Sequence, residues 1–181
     1  MTRLFPILLF VLCQAAAAAP YSVEISKSDS TLVVKQNKEI IKKYRVAHGK
    51  GGKGTKIRVG DNKTPTGTYQ VIDFKADSKF HFFIQLNYPN ALDAWRGYKN
   101  EIISAIEFKQ IARAYKRSSL PPQNTGLGGY IGIHGIGLTT DKKNQIHETQ
   151  NWTEGCIALK NEEVNELMKY ITWGTTVIIR E

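Results

Sequence analysis

The chain is poor in cysteine and proline and has only one short uninterrupted apolar run. Of its 181 residues, 2 are Cys and 6 are Pro, while 41% are hydrophobic and 23% are charged. Such a composition excludes collagen-like, intrinsically disordered and polytopic membrane proteins, because it supplies a core but not a series of membrane spans. The sequence has no internal repeat and no linker-like segment, so its length predicts a single domain.

The apolar run lies at the N-terminus, from Leu4 to Leu12. It is too short to cross a bilayer, which takes about 20 residues, so a membrane anchor is the weaker alternative. The run follows Thr2-Arg3 and precedes the small residues Ala15 to Ala19, an order typical of secretory signal peptides. We therefore predict a signal peptide at residues 1–18 and a mature domain at 19–181. That domain would have no stable membrane span and would be exported to the periplasm or cell envelope.

Acidic residues are outnumbered by basic ones. Lys and Arg total 25 against 16 Asp and Glu, a formal net charge of +9. A positive surplus favours polyanionic partners such as nucleic acid, anionic lipid or a carboxylate-rich cell envelope. Export removes nucleic acid from this list, so we expect an envelope partner and no nucleic acid.

Most of the chain has the alternating or β-branched patterns of strands. Strands are predicted over 23–25, 31–34, 40–46, 68–74, 79–86, 130–133 and 175–179, with a hairpin turn at Asn37-Lys38. The segment 48–62 is rich in Gly and Lys but lacks the spacing of a phosphate-binding loop. It is predicted to be a mobile, basic surface loop.

Two segments have helical periodicity. Between residues 90 and 117 the apolar side chains fall on one helical face, namely Ile102, Ile103, Ile106, Ile111 and Tyr115. A second helix is predicted to begin at the N-cap Asn161 and to end at Gly174, after a polar loop over 137–151. The fold class is therefore mainly β with α insertions.

The candidate chemistry lies in two short stretches. Removal of the signal peptide takes Cys13 away, so Cys156 remains as a lone thiol in an oxidising compartment. His134 ends a predicted strand 22 residues earlier, and an imidazole is the usual proton acceptor for a nucleophilic thiol. Gly155 has no Cβ, so a substrate carbonyl can approach main-chain N–H groups that stabilise an oxyanion.

Two other interpretations of these residues stay open. Cys156 and His134 can simply be buried structural residues, as in a non-catalytic envelope-binding domain. A zinc site from His134, His147 and Cys156 is possible in composition, but the sequence has no closely spaced ligand pair. We therefore predict no metal and no cofactor.

Four stretches of the sequence form a recognisable set. They are His134-Gly135, Thr153-Glu154-Gly155-Cys156-Ile157, the turn from Asp61 to Tyr69, and Tyr88-Pro89-Asn90. The first two resemble the active-site signature of the L,D-transpeptidases, the YkuD-type catalytic domain. The similarity covers most of residues 22–181 and extends to the small exported, YafK-like branch of the family.

The resemblance implies a fold, a substrate and a mechanism. The fold would be an L,D-transpeptidase-like β-sandwich with a helical excursion and a helix after the catalytic cysteine. Cys156 would form a thioester with a peptidoglycan stem peptide and expel D-Ala, with His134 as the base. The Gly135 carbonyl would orient the imidazole, and main-chain N–H groups around Gly155 and Cys156 would bind the oxyanion.

The acceptor decides the reaction that the resemblance implies. A diaminopimelate amine gives a 3→3 cross-link, an envelope protein's lysine gives attachment, and water gives hydrolysis, as in an L,D-carboxypeptidase or amidase. Glu154, Thr153 and Tyr130 are the expected substrate contacts.

The chain departs from the family pattern at two positions. Glu154 stands where many members have a second histidine, and Ala158 stands where many have an arginine that binds a substrate carboxylate. We therefore expect other cations to bind that carboxylate. The candidates are Lys160, Arg113 and the lysines of the glycine-rich segment, Lys50, Lys53 and Lys56.

Overall fold

The computed structural model describes residues 21–181, so the predicted signal peptide lies outside the described residues. Within that range the chain forms eight strands and four helices. The strands are β1 (Tyr21–Ser26), β2 (Thr31–Gln36), β3 (Glu39–Arg45), β4 (Gly67–Ser78), β5 (His81–Leu86), β6 (Gly132–Gly135), β7 (Ile157–Leu159) and β8 (Thr176–Arg180). The helices are α1 (Ala91–Lys99), α2 (Ala105–Lys116), α3 (Asp141–Thr149) and α4 (Asn161–Leu167).

All eight strands belong to one sheet, in the order β3-β2-β1-β8-β4-β5-β6-β7. The pairs β1/β8 and β6/β7 are parallel, and the others are antiparallel. The long strand β4 joins two halves, because its residues 67–70 pair with β8 and its residues from Val71 onward pair with β5. Side chains of both halves share one core, for example Ile25 and Leu32 with Ile84 and Ile133. The prediction of a mainly β fold with helical insertions is confirmed.

The first strands follow the predicted pattern. Val23 and Ile25 of β1 are buried, whereas Glu24 between them is partly exposed, as alternation along a half-buried strand requires. Asn37 lies in the β2–β3 turn with a φ of 58°. This left-handed conformation is one that Asn tolerates, so the hairpin prediction is confirmed.

The helical excursion over residues 90–117 consists of two helices. Capping boxes start them: Asn90 pairs with Asp93, and Ser104 pairs with Glu107. The predicted single apolar face is wrong, since Ile102 and Ile103 precede α2. Ile106 and Tyr115 are 70% and 54% exposed. A smaller core forms instead from Ala94, Ile103, Ile111 and Leu127.

Residues 137–151 contain helix α3, which the sequence analysis predicted as a polar loop. The sequence pattern did not reveal this helix, because His147 is the only residue that α3 buries and the helix has no apolar stripe. The side chain of Thr140 caps the helix by accepting the Lys143 N–H at 3.2 Å. Strand β6 also begins later than predicted, because Tyr130 has a φ of 55° that is incompatible with a strand.

Helix α4 is displaced by one residue from the prediction and is shorter. Its N-cap is Lys160, whose N–H donates to the Glu163 carboxylate at 2.9 Å. The predicted cap, Asn161, instead uses its amide to bind both backbone groups of Gly137, at 3.1 and 2.8 Å. The helix ends at Leu167 rather than continuing to Gly174. Asn161 thus ties the start of α4 to the segment that follows β6.

The helices of residues 21–181 are all too short or too polar to span a bilayer.

Asp93 anchors α1 against β4 and makes stability depend on pH. Its carboxylate accepts the Tyr69 hydroxyl at 2.9 Å and the Asn90 N–H at 3.0 Å. Burial raises the pKa of Asp93 to about 6, against the opposing effect of these hydrogen bonds. Because the folded state binds the proton more tightly than the unfolded state, this group stabilises the fold at low pH and that contribution is lost as pH rises towards 6.

We expect Asp93→Asn to lose this dependence. Between pH 4 and pH 7, the unfolding free energy of the wild type should fall relative to the variant by roughly 2 to 3 kcal/mol, the equivalent of about two pKa units. Urea denaturation at several pH values measures the difference. Parallel profiles for the two proteins would contradict the role assigned to the Asp93 carboxyl.

Candidate active site

A cleft of about 760 Å³ opens where β6 and β7 meet the glycine-rich segment and the end of the β4–β5 hairpin. It is lined by both residues of the predicted catalytic pair, His134 and Cys156, and by all three predicted substrate contacts, Glu154, Thr153 and Tyr130. These five residues therefore lie around one cavity although they come from separate stretches of sequence, whereas the predicted Gly135 and Gly155 are not part of its lining.

The parallel pairing of β6 and β7 brings His134 and Cys156 together. Ile133 pairs with Ile157, His134 follows Ile133, and Cys156 precedes Ile157. Side chains alternate along strands, so His134 and Cys156 project to the same side of the sheet, opposite to the two isoleucines. The 21 residues that lie between them in sequence contain the crossover between the two strands.

The imidazole of His134 is oriented by the backbone next to it. Nδ1 lies 2.7 Å from the carbonyl oxygen of Gly135, and because a carbonyl can only accept, Nδ1 carries the hydrogen. Nε2 is therefore free to accept a proton. This geometry matches the orienting role that the resemblance implies for Gly135.

His134 lies in an aromatic environment and is only 2% exposed. Its ring stacks on Phe80 with centroids 4.4 Å apart, and Phe83 and Trp152 lie at 6.1 and 6.0 Å. Burial among these rings lowers the pKa of His134 to about 4. The imidazole is therefore neutral at pH 7.

The thiol of Cys156 is also neutral in this structure. Its Sγ donates to the carbonyl oxygen of Tyr130 at 3.3 Å, so it does not form a hydrogen bond with His134. Burial raises the pKa of Cys156 to about 11, while the Gly132 N–H and the charge of Lys56 oppose the rise. The site thus holds a neutral thiol and a neutral imidazole rather than a thiolate–imidazolium pair.

The turn before Cys156 requires glycine at position 155. Gly155 has a φ of +135°, and a Cβ there would lie 2.8 Å from the Lys63 carbonyl oxygen. Thr153 braces the turn: its hydroxyl donates to the Cys156 carbonyl at 2.6 Å and accepts the Gly155 N–H at 3.2 Å.

This bracing changes two expectations. The Thr153 hydroxyl is committed to the turn, which is a different use from the predicted substrate contact. The Gly155 N–H is likewise engaged with Thr153 and is not an oxyanion donor in this arrangement. The Cys156 N–H remains as the main-chain donor of this turn that can face an oxyanion.

Glu154 and Tyr130 keep side chains available to a substrate. Both are exposed and line the cleft, with Tyr130 53% exposed. Tyr130 is held by its backbone, whose N–H donates to Gln123 Oε1 at 2.6 Å and whose carbonyl accepts the thiol.

The comparison with known families agrees with this architecture. Residues 20–179 match the family profile of the L,D-transpeptidase catalytic domain, YkuD. The chain belongs to the L,D-transpeptidase family. YafK of Escherichia coli (strain K12), provisionally named an L,D-transpeptidase, is 26% identical over 165 residues, which cover 88% of this chain and 50% of YafK. The chain thus spans about half the length of the curated relatives it matches.

Solved structures share the L,D-transpeptidase fold. The helical cell shape determining protein Pgp2 of Campylobacter jejuni aligns with a TM-score of 0.58 and 22% identity, over 91% of this chain and 49% of Pgp2. Bd1075 of Bdellovibrio bacteriovorus aligns with a TM-score of 0.55 and 21% identity, over 92% of this chain and 50% of Bd1075. An L,D-transpeptidase of Xylanimonas cellulosilytica aligns with a TM-score of 0.52 and 14% identity, over 92% of this chain and 63% of that one.

The position of the family's usual arginine cannot bind a substrate here. Ala158 is fully buried on β7, paired with His134 on one side and with Ala47 on the other. Two predicted substitutes are also wrong, since neither Lys160 nor Arg113 lines the cleft, and Lys160 pairs with Glu148 at 2.8 Å. The lysines that do line the cleft are Lys50, Lys56, Lys75 and Lys79.

The glycine-rich segment is more ordered than the prediction of a mobile surface loop. Gly49 and Gly51 pack so closely on the backbone of 61–64 that neither has room for a side chain. Lys56 is buried and its Nζ lies 2.8 Å from Asp61 Oδ1, whereas Lys53 is exposed and lies outside the cleft. Of the three candidate lysines in this segment, only Lys50 is both exposed and in the cleft.

Sequence analysis missed the aromatic lining and the Lys56–Asp61 pair. Phe80 and Phe83 belong to an aromatic-rich stretch that was visible, but no pattern indicates that it faces His134. Trp152 immediately precedes the Thr153-Glu154-Gly155-Cys156 stretch, and this proximity was the one available signal.

The zinc alternative gains no support from the described part of the chain. Among residues 21–181, no three His, Cys, Asp or Glu side chains are grouped as metal ligands. His147 is buried in α3, and neither ring nitrogen has a hydrogen-bond partner within the described residues.

The bracing role of Thr153 can be tested by removing its hydroxyl. Thr153→Val keeps the shape but leaves the Gly155 N–H without its partner, so we expect a loss of about 1 to 3 kcal/mol in unfolding free energy. Thr153→Ser restores the hydroxyl and should recover most of that loss. Denaturant unfolding of the three proteins measures both effects, and a valine variant as stable as the wild type would contradict the bracing role.

Proposed function

We propose that the protein is an exported cysteine acyltransferase that acts on peptidoglycan stem peptides as an L,D-transpeptidase. The observation that carries the proposal is the shared cleft of Cys156 and His134, in which Nε2 of His134 is free because Nδ1 donates to the Gly135 carbonyl. Membership of the L,D-transpeptidase family supports the substrate class.

In the proposed reaction the thiol proton moves to Nε2 of His134 as the sulfur attacks. The sulfur bonds to the carbonyl carbon that follows the diaminopimelyl centre, and the Cys156 N–H donates to the oxygen that becomes negative. The carbon–nitrogen bond to D-Ala then breaks. His134 returns the proton to the leaving amine, and a thioester on Cys156 remains.

Because the Cys156 thiol and the His134 imidazole are both neutral, the proton is still on the sulfur when the substrate binds. With a thiol pKa of about 11 and an imidazole pKa of about 4, the thiolate is not formed ahead of the substrate at pH 7. The thiol must first turn from the Tyr130 carbonyl towards His134. Proton transfer is therefore coupled to the attack on the bound peptide.

The acceptor completes the reaction. A diaminopimelate amine that attacks the thioester gives a 3→3 cross-link, and a lysine amine of an envelope protein gives covalent attachment. Hydrolysis is the second candidate, and Glu154 is the observation that favours it. Its exposed carboxylate lines the cleft two residues from Cys156, where it can orient or deprotonate a water molecule.

The test is to incubate the purified protein with tetrapeptide muropeptides and to identify the products by mass. We expect Cys156→Ala to abolish every product, because no other thiol is present among residues 21–181. His134→Ala should slow acylation by a factor on the order of 10² to 10⁴, the usual contribution of a positioned general base.

The products also distinguish the alternatives. Cross-linked dimers indicate transpeptidation, and shortened tripeptides indicate hydrolysis. Residual turnover within about tenfold of wild type in folded Cys156→Ala would contradict the nucleophile assignment, since a thiol in this role contributes far more. A protein that forms no product, and whose folded Cys156 resists thiol reagents, would favour the non-catalytic envelope-binding domain.

Electrostatic binding to the anionic cell wall can be tested separately, by substituting the exposed lysines that line the cleft. We propose that Lys50, Lys75 and Lys79 attract substrate carboxylates in place of the absent arginine. Exposed charges are screened over about 8 Å at physiological salt, so binding to isolated sacculi should weaken as salt increases.

Replacing these three lysines with Gln should weaken sacculus binding severalfold and flatten its dependence on salt, as measured by co-sedimentation. Lys53→Gln is the matched control, because Lys53 is exposed but lies outside the cleft. An equal loss in the control would show that net charge alone drives the binding. Unchanged binding in the triple variant would remove these lysines from recognition.

A further inference from the structure

Lys56 is a buried cation in the wall of the cleft. It is 6% exposed, and its Nζ donates to Asp61 Oδ1 at 2.8 Å and to the Arg58 carbonyl at 3.0 Å. An ammonium group has three N–H donors, so these two contacts leave one for a group in the cleft. Lys56 and Cys156 line the same cavity.

Asp61 does not need Lys56 to satisfy its carboxylate. Oδ2 accepts the Ile57 and Arg58 N–H groups at 2.7 and 3.1 Å, and Oδ1 accepts the Lys63 N–H at 3.1 Å. Although burial opposes it, Lys56 together with these groups holds the pKa of Asp61 below its usual range, so the carboxylate is charged. The Asp61 carboxylate thus holds the loop from 57 to 63 through these backbone hydrogen bonds without Lys56. The burial of Lys56 in the wall of the cleft therefore needs a separate explanation.

The other charged groups of the cleft are exposed. Lys50, Lys75, Lys79, Asp77 and Glu154 line it from the glycine-rich segment, from β4 and its turn, and from the stretch before β7. Water and salt screen such charges far more than a buried one. His134, which lines the cleft from β6, is neutral at pH 7. Lys56 is therefore the one buried cation among the described residues that line this cleft.

We propose that Lys56 is a positioning residue that stabilises negative charge on the Cys156 sulfur while the thiol proton is on His134, and that Asp61 sets the strength of this effect. The proposal rests on Cys156 as the nucleophile of the proposed function. It is supported by the opposing effects on the thiol, since Lys56 favours the thiolate whereas Glu154 disfavours it.

Substitution of Lys56 and substitution of Asp61 should then shift the thiol pKa of Cys156 in opposite directions. Lys56→Met removes the stabilising charge and leaves Asp61, whose negative charge disfavours a thiolate. Asp61→Asn keeps Lys56 and removes its counter-charge, so the ammonium acts more strongly on the sulfur. If the ion pair only held the loop in place, both substitutions would disturb Cys156 in the same direction.

The experiment measures alkylation of Cys156 by iodoacetamide from pH 6 to pH 10, which requires no peptidoglycan. We expect Lys56→Met to raise the apparent pKa of the thiol and to slow alkylation at pH 8 about threefold to tenfold, the effect of half to one pKa unit. Asp61→Asn should accelerate alkylation about twofold to fivefold. Lys56→Arg should stay near wild type, as should the exposed control Lys53→Met.

The dependence of the alkylation rate on salt distinguishes the effect of a buried charge from that of exposed charges. The effect of Lys56→Met should persist at 0.5 M NaCl, where surface charges contribute little. Slower alkylation in both Lys56→Met and Asp61→Asn, or no change in either, would overturn the proposal.

If Lys56→Met does not fold, Asp61→Asn decides alone: faster alkylation supports the proposal, and equal or slower alkylation overturns it. These outcomes are independent of the muropeptide assay, so a protein without transpeptidase activity can still pass or fail this test.

Discussion

The parallel pairing of β6 with β7 is the constraint on which the active site depends. Because Ile133 pairs with Ile157, His134 lies one residue beyond this pair along β6 and Cys156 lies one residue before it along β7. Both side chains project from the same face of the sheet. Two parallel strands cannot be joined by a tight turn and need a crossover of a dozen or more residues, commonly containing a helix. Helix α3 lies in this crossover, and Asn161 of α4 binds the backbone of Gly137 at its start.

The protonation states of His134 and Cys156 follow from the burial of these two groups. Aromatic rings around His134 and burial of Cys156 favour the neutral forms of both groups. The Gly135 carbonyl selects the tautomer, and the Thr153 hydroxyl sets the turn that presents the cysteine. Of the described charged residues that line the cleft, Lys56 is the one that is buried.

Sequence patterns predicted the parts of the molecule that local physics decides. Alternation identified β1 and β2, and the tolerance of Asn for a left-handed conformation identified the hairpin turn. The lone thiol, the nearby imidazole and Gly155 indicated the candidate site from residue chemistry, and the resemblance to the L,D-transpeptidases added the role of Gly135. Local geometry explains Gly155, because a φ of +135° requires a glycine.

The remaining features depend on tertiary contacts. Helix α3 has no apolar stripe that would reveal it. The Ile106 and Tyr115 side chains face solvent because α2 buries Ile111 and Ala114 instead. The burial of Lys56 depends on Asp61 and on the backbone of the surrounding loop. Nothing in the spacing of Phe80, Phe83 and Trp152 shows that they meet around one imidazole.

The β-bridge between Ala47 and Ala158 covers the outer edge of strand β7. Ala158 exchanges both of its backbone hydrogen bonds with Ala47, at 2.8 and 3.0 Å, and a second bridge joins Gly49 to Thr153. The outer side of β7 is therefore already occupied by the chain itself. Many peptide-binding proteins hold an extended ligand by adding it to an exposed sheet edge, which supplies main-chain hydrogen bonds without regard to sequence. Because the chain's own backbone already pairs along β7 beside Cys156, no ligand can add to the sheet at this edge.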